Sequence, residues 1–155
     1  MKLTSKALGE IELADEQIIE MPSGMIGFPA LHRYALIPFD DPAVPFLWWQ
    51  CVDKPSLCFI LIDPTLICPD YEIALPTEEF EDIELESASD GSVYVVVTVP
   101  SDPREMTVNL VGPIVMNLST RKAKQLVLTD ARYTTKHPVL RREAPGHACA
   151  NSQTE

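Results

Sequence analysis

The chain has 155 residues, 46% of them hydrophobic and 23% charged, with 23 Asp and Glu against 12 Lys and Arg for a formal net charge of −11. That length suits one well-buried core and argues against two independent domains, while the apolar content excludes an acidic disordered chain. A surface with this balance repels RNA, DNA and anionic membranes, so direct nucleic-acid or membrane binding is not expected.

The N-terminus, Met1 to Lys6, alternates and lacks the apolar centre of a signal peptide. No run reaches the roughly 18 to 20 apolar residues of a membrane-spanning helix. A cytoplasmic location is expected. The first forty residues change direction often: Gly9 to Leu13, Ile18 to Met21 and Tyr34 to Ile37 are short period-two runs broken by Gly and Pro. Such spacing predicts short strands of a sandwich or barrel.

Phe46 to Val52 and Leu57 to Asp63 are near-continuous apolar runs joined by Asp53-Lys54-Pro55-Ser56, a turn of hairpin length. They read as central strands. An irregular connection follows through Pro64 and Pro69, then the segment Tyr71 to Leu75. Thr77 to Ile83 reads as one short helix with Thr77 as N-cap, acidic residues in its first turn, and Phe80 and Ile83 facing the core.

Val93 to Val99 is β-branched almost throughout and is the strongest strand signal in the chain. Met106 to Leu110 and Ile114 to Leu118 flank Val111-Gly112-Pro113, so two short strands should meet at a bend; a polar basic stretch, Thr120 to Lys124, precedes a last strand over Gln125 to Thr129. The expectation is an all-β, antiparallel, small β-barrel-like domain of nine or ten strands and one short helix over residues 1–138. Residues 139–155 lose periodicity and are expected to form a disordered tail.

Charge is unevenly spread along this plan. Residues 1–100 carry 18 acidic and 4 basic side chains, a balance of −14; residues 101–155 carry 5 and 8, a balance of +3. Nothing basic lies between Lys54 and Arg104, and Glu78, Glu79, Glu81, Asp82, Glu84 and Glu86 crowd the helix region. These six are expected to form an acidic electrostatic face that steers toward basic partners. They lack the Asp/Asn alternation and central Gly of a calcium loop, so no metal is expected there.

Catalytic chemistry has few candidates. His32, His137 and His147 share no strand or helix, and no phosphate-loop, dinucleotide or nucleophile-elbow motif occurs. Cys51, Cys58, Cys68 and Cys149 form no C-x-x-C pair and read as reduced thiols. No enzyme activity and no cofactor are expected; the chain reads as a binding protein. A small-ligand-binding β-barrel is the alternative, and a deep closed apolar cavity would be its mark.

Trp48 and Trp49 are strand neighbours, so one ring should enter the core and the other face outward, unless a central strand covers both. Gly24 and Gly27 fit either a loop tip that approaches a partner or turn positions needing positive φ. Asn109 and Asn117 fit either partner contacts or bonds to neighbouring loops.

Several segments, in order, resemble the flagellar assembly factor FliW family: Gly9-Glu10-Ile11; Ile19 to Gly24 with Gly27-Phe28; Pro45 to Gln50; Asp63-Pro64 with Pro69-Asp70-Tyr71; Val97 to Pro100; Met106 to Asn117; and Gln125 to Leu128 with Tyr133 and His137-Pro138. The chain departs from that pattern at Trp49, Gly112 and its tail. The resemblance implies a β-barrel-like domain with two cytoplasmic partners, flagellin and the RNA-binding regulator CsrA, which represses flagellin translation. Release of exported flagellin would free the factor to bind CsrA. Flagellin termini resemble amphipathic helices, which would seat in a groove near Phe28, Phe46 and whichever of Trp48 or Trp49 faces outward.

Overall fold

The structure, a computed structural model, describes residues 1–139. Strands β1 (Lys2–Ser5) and β2 (Gly9–Glu12) form a hairpin of their own. The remaining strands are β3 (Ile18–Glu20), β4 (Arg33–Pro38), β5 (Leu47–Cys51), β6 (Cys58–Ile62), β7 (Ser92–Thr98), β8 (Thr107–Val108), β9 (Ile114–Asn117), β10 (Lys122–Gln125) and β11 (His137–Pro138). Seven of them close a barrel in the order β7-β6-β5-β4-β3-β10-β9 and back to β7. The expected all-β barrel is therefore present, antiparallel except where β3 meets β10 in parallel at Glu20 and Lys122.

Closure depends on β7. One edge of β7 pairs with β6, and the other pairs first with β9 (Ser92 with Met116) and then with β8 (Val97 with Val108). The bend at Val111-Gly112-Pro113 lets β8 and β9 share that edge, as the sequence predicts. Asn109 holds the bend by accepting the Val111 and Gly112 N–H groups at 3.0 Å each.

Strands β4 to β7 read as continuous apolar runs because both faces of the barrel wall are covered. Inside, Tyr34, Trp49, Leu61, Ile114, Met116 and Met21 pack together with no exposed surface. Outside, the N-terminal hairpin lays Leu3 on Ala35 and Val52, with Leu13 in the same cluster. The segment after β6 brings Cys68 and Tyr71 into one cluster with Val95 and Val97. Phe80 and Ile83 cluster with Val115, which meets the expectation for those two residues.

Three details differ from expectation. Thr77–Ile83 is a 3₁₀ helix with Pro76 at the N-cap, so Thr77 is its first residue and caps nothing by its side chain; Pro76 has the fixed φ that suits a helix entry. The last predicted strand lies earlier, at Lys122–Gln125, because a hairpin turn with Arg121 at φ 58° starts the strand inside the basic stretch. Only Ala123 of that strand is fully buried, and its lysines point elsewhere. Finally, Cys51 and Cys58 are free thiols but Cys68 is disulfide-bonded, against the expectation of reduced thiols; spacing along a chain does not reveal which sulfurs meet in space. The expected tail, apart from Val139, and with it Cys149, lies outside the described residues.

Candidate protein-docking site

The outward row of the barrel wall has a gap between its covers. Antiparallel pairing puts Ile37, Trp48 and Ile60 side by side on the outer face, because Ile37 pairs with Trp48 and Trp48 with Ile60. None of the three is fully buried. The hairpin loop beyond them adds two more rings: Phe39 stacks on Trp48 at 4.4 Å between centroids, and Phe46 lies 5.8 Å from Phe39. Phe39, Phe46 and Trp48 thus form a half-exposed aromatic stripe, with Asp40 and Asp41 exposed at its loop end.

Trp49 points the other way. Its ring lies on Tyr34 at 5.1 Å and 5°, fully buried inside the barrel. Trp48 is therefore the outward ring of the pair. Phe28 belongs with the interior row, meeting Phe59 edge-on at 6.1 Å; Phe59 in turn pairs with Trp49. The structure brings Phe46 and Trp48 together and places Phe28 apart from them. Phe39 was missed in the sequence, although two aromatics flanking one hairpin loop were a usable signal.

Gly24, Gly27, Phe28 and Asn109 meet at one end of the barrel through a residue that no motif marked. Gln125 Oε1 accepts the Ile26 N–H at 2.8 Å, and Gln125 Nε2 donates to Gly112 C=O at 3.0 Å. Gly24 has φ 68°, and a Cβ there would run into the Phe28 carbonyl and Pro29; Gly27 has φ 94° with open space around it. The loop they shape presents Ile26, 57% exposed. A side chain at Gly112 would crowd Asn109 and Gln125, at 3.0 and 3.1 Å, which explains the glycine.

Asn117 serves the acidic region. Its Oδ1 accepts the Ser119 and Thr120 N–H groups, and its Nδ2 donates to the carbonyls of Ile83 and Glu84 at the end of the 3₁₀ helix. The acidic face is not left whole, because β10 folds two lysines against it. Lys124 donates to the Glu79 carbonyl at 2.9 Å and pairs with Asp82 at 3.4 Å, and Lys122 pairs with Glu84 at 3.4 Å. Glu78, Glu81 and Glu86 are exposed and have no ion pair among the described residues.

The turn after β5 is fixed by charge. Burial alone would raise the Asp53 carboxyl, but the His32 and Arg33 N–H groups and the Arg33 guanidinium, 2.8 Å away, together hold it below its ordinary value. Burial pushes the Cys58 thiol up to about 11, so it stays protonated at neutral pH.

No group of His, Cys, Asp and Glu among the described residues could hold a metal ion. No helix among them is long and apolar enough to cross a membrane. The barrel interior is filled by side chains, and the clefts at Pro64, Val93 and Ser89 and at Asp15, Arg33 and Arg121, about 320 Å³ each, open to solvent. What the surface offers is aromatic area and unpaired carboxylates, both suited to docking.

Comparison with known proteins agrees. A family model described as FliW protein matches residues 2–140. The flagellar assembly factor FliW of Treponema denticola is 44% identical over 140 residues, covering 90% of this chain and 94% of its own. That of Geobacter sulfurreducens is 38% identical over 157 residues, covering 99% of this chain and 98% of its own. A crystal structure of the flagellar assembly factor FliW superposes with TM-score 0.83 at 33% identity, over 93% of this chain and 100% of that one.

Proposed function

The chain belongs to the FliW family of flagellar assembly factors, and we propose that it works in the cytoplasm by exchanging two protein partners, with no bond made or broken. It binds flagellin; when flagellin is exported, it binds the RNA-binding regulator CsrA and relieves repression of flagellin translation. The observation that carries this reading is the half-exposed stripe of Phe39, Phe46 and Trp48 on a barrel whose interior is already full. Aromatic rings held rigid by stacking and by the strand beneath are effective interface anchors. An amphipathic flagellin helix could lay its apolar face along them.

For the regulator the support is electrostatic. An RNA-binding protein presents cations, and Glu78, Glu81 and Glu86 stand free to meet them. Once docked, the same charges would repel RNA phosphates nearby. Lys122 and Lys124 screen Glu79, Asp82 and Glu84, so those three contribute less than the sequence suggests. Gly24, Gly27, Phe28, Asn109 and Asn117 act in this scheme by shaping the loops around the docking surfaces.

Purified flagellin and purified CsrA, each titrated against the chain at several salt concentrations, test the scheme. Both should bind, flagellin should displace CsrA or be displaced by it, and affinity for CsrA should fall as salt rises from low to physiological and beyond. Absence of binding to either partner, or a CsrA affinity indifferent to salt, contradicts it.

A further inference from the structure

Strand β7 has neighbours on both edges along most of its length, but not at its start. Val96 C=O accepts the Asn109 N–H at 3.0 Å. Main-chain groups alternate along a strand, so Ser92, Tyr94 and Val96 turn theirs toward β9 and β8, and Val93, Val95 and Val97 toward β6. On that side β6 pairs Ile60 with Val97 and Ile62 with Val95, then stops.

The stop has a covalent cause. Continuing the register places Pro64 opposite Val93, and proline has no N–H to donate. Its carbonyl is also engaged, accepting the Ile67 and Cys68 N–H groups at 3.1 and 2.8 Å as the chain turns into the 3₁₀ helix Pro64–Leu66. The N–H and C=O of Val93 are left with no strand beside them. They face an opening of about 320 Å³ lined by Thr65, Tyr71, Ile73, Ala88 and Val93 among others. It runs into a second of similar size at Asp63, Ser89, Gly91 and Tyr94.

The chemistry of the rim selects a ligand. Asp63 and Glu72 line the two openings, and no Lys or Arg lines either. Asp63 uses one carboxylate oxygen to accept the Thr65 N–H and Oγ1–H, at 2.9 and 2.7 Å, which leaves the other free. Glu72 is exposed, with Arg132 at 3.5 Å. The floor, Val93 with Ile73 and Ala88, is apolar and narrow.

We propose that this cleft binds a short, extended, basic peptide segment. Its main chain pairs with Val93 as an added strand, a small apolar side chain lies on Val93 and Ile73, and a Lys or Arg sits against Asp63 and Glu72. The site is separate from the aromatic stripe and stands whether or not flagellin and CsrA are the partners.

The test uses the full chain, ¹⁵N-labelled, and the blocked peptide acetyl-Lys-Val-Thr-Val-Lys-amide. Titration should shift the amides of Val93, Thr65 and Ser89 to saturation and slow hydrogen exchange at Val93. A peptide with Glu in place of both Lys, and one N-methylated along its backbone, should each bind at least tenfold more weakly. The double variant Asp63→Asn, Glu72→Gln keeps the Thr65 cap and should weaken the basic peptide on the order of tenfold. No shift at Val93 up to millimolar peptide overturns the proposal. So does equal binding of the acidic or N-methylated peptide, or an unchanged affinity in a folded double variant.

Discussion

Tyr34 and Trp49 lie ring on ring inside the barrel, their centroids 5.1 Å apart and their planes 5° from parallel. Tyr34 comes from β4 and Trp49 from β5, so the stack ties neighbouring strands from within. Burial, with Cys51 beside it, pushes the Tyr34 hydroxyl well above the ordinary phenol range. Trp48, one residue away, turns its ring to the outside and onto Phe39.

Truncating the two tryptophans should separate stability from surface. Trp49→Ala removes a fully buried ring and should cost about 3–5 kcal/mol in denaturant unfolding. Trp48→Ala should cost less than about 1.5 kcal/mol, since its ring is only partly buried. Trp49→Phe should cost far less than Trp49→Ala, because the indole N–H has no hydrogen-bond partner to lose.

Gln50 should govern attachment of the N-terminal hairpin. Its buried amide accepts the Ser5 hydroxyl and reaches the Cys51, Pro55 and Leu57 carbonyls at 2.8, 3.0 and 3.2 Å. Gln50→Leu should cost about 1–3 kcal/mol through unpaired polar groups. Hydrogen exchange should speed up most at β1 and β2, ahead of the barrel strands.

Asp53 should make stability fall in acid. Its folded carboxyl sits below the ordinary value of 3.8. The contribution is therefore present above that value and is lost as pH falls through the lower folded one. The difference in Tm between the native chain and Asp53→Asn should be steady from pH 7 to about 5 and shrink progressively below pH 4.

Cys58 gives the opposite sign at high pH. Its thiol rises from an ordinary 9.0 to about 11 in the folded chain. That contribution is intact below pH 9 and is lost as pH rises through about 11. Iodoacetamide should label Cys58 of the folded chain much more slowly at pH 8.5 than in denaturant, and Cys58→Ser should lessen the loss of stability between pH 9 and 11.

The barrel was legible in the sequence where one rule sufficed. Val93 to Val99 is β-branched throughout, and Phe46 to Val52 and Leu57 to Asp63 are apolar on both faces, so their strands stand within a residue or two of expectation. Strand β10 was misplaced because Lys122 and Lys124 look like loop residues until Glu79, Asp82 and Glu84, some forty positions away, are folded against them. Alternation alone said that Trp48 and Trp49 part company. Only pairing with Leu36 and Phe59 says which one enters the core. Gln125 carried no signal, since its two loop bonds exist only once the barrel has closed.

Titrating purified flagellin against Trp48→Ala, beside the unaltered chain, tests partner docking most directly. The variant should keep the near-ultraviolet signature of the buried Trp49 stack and unfold at nearly the same denaturant concentration, while its affinity for flagellin falls at least about thirtyfold, the loss of an anchor worth about 2 kcal/mol. Flagellin binding that is unchanged in this folded variant would contradict a docking site at the aromatic stripe.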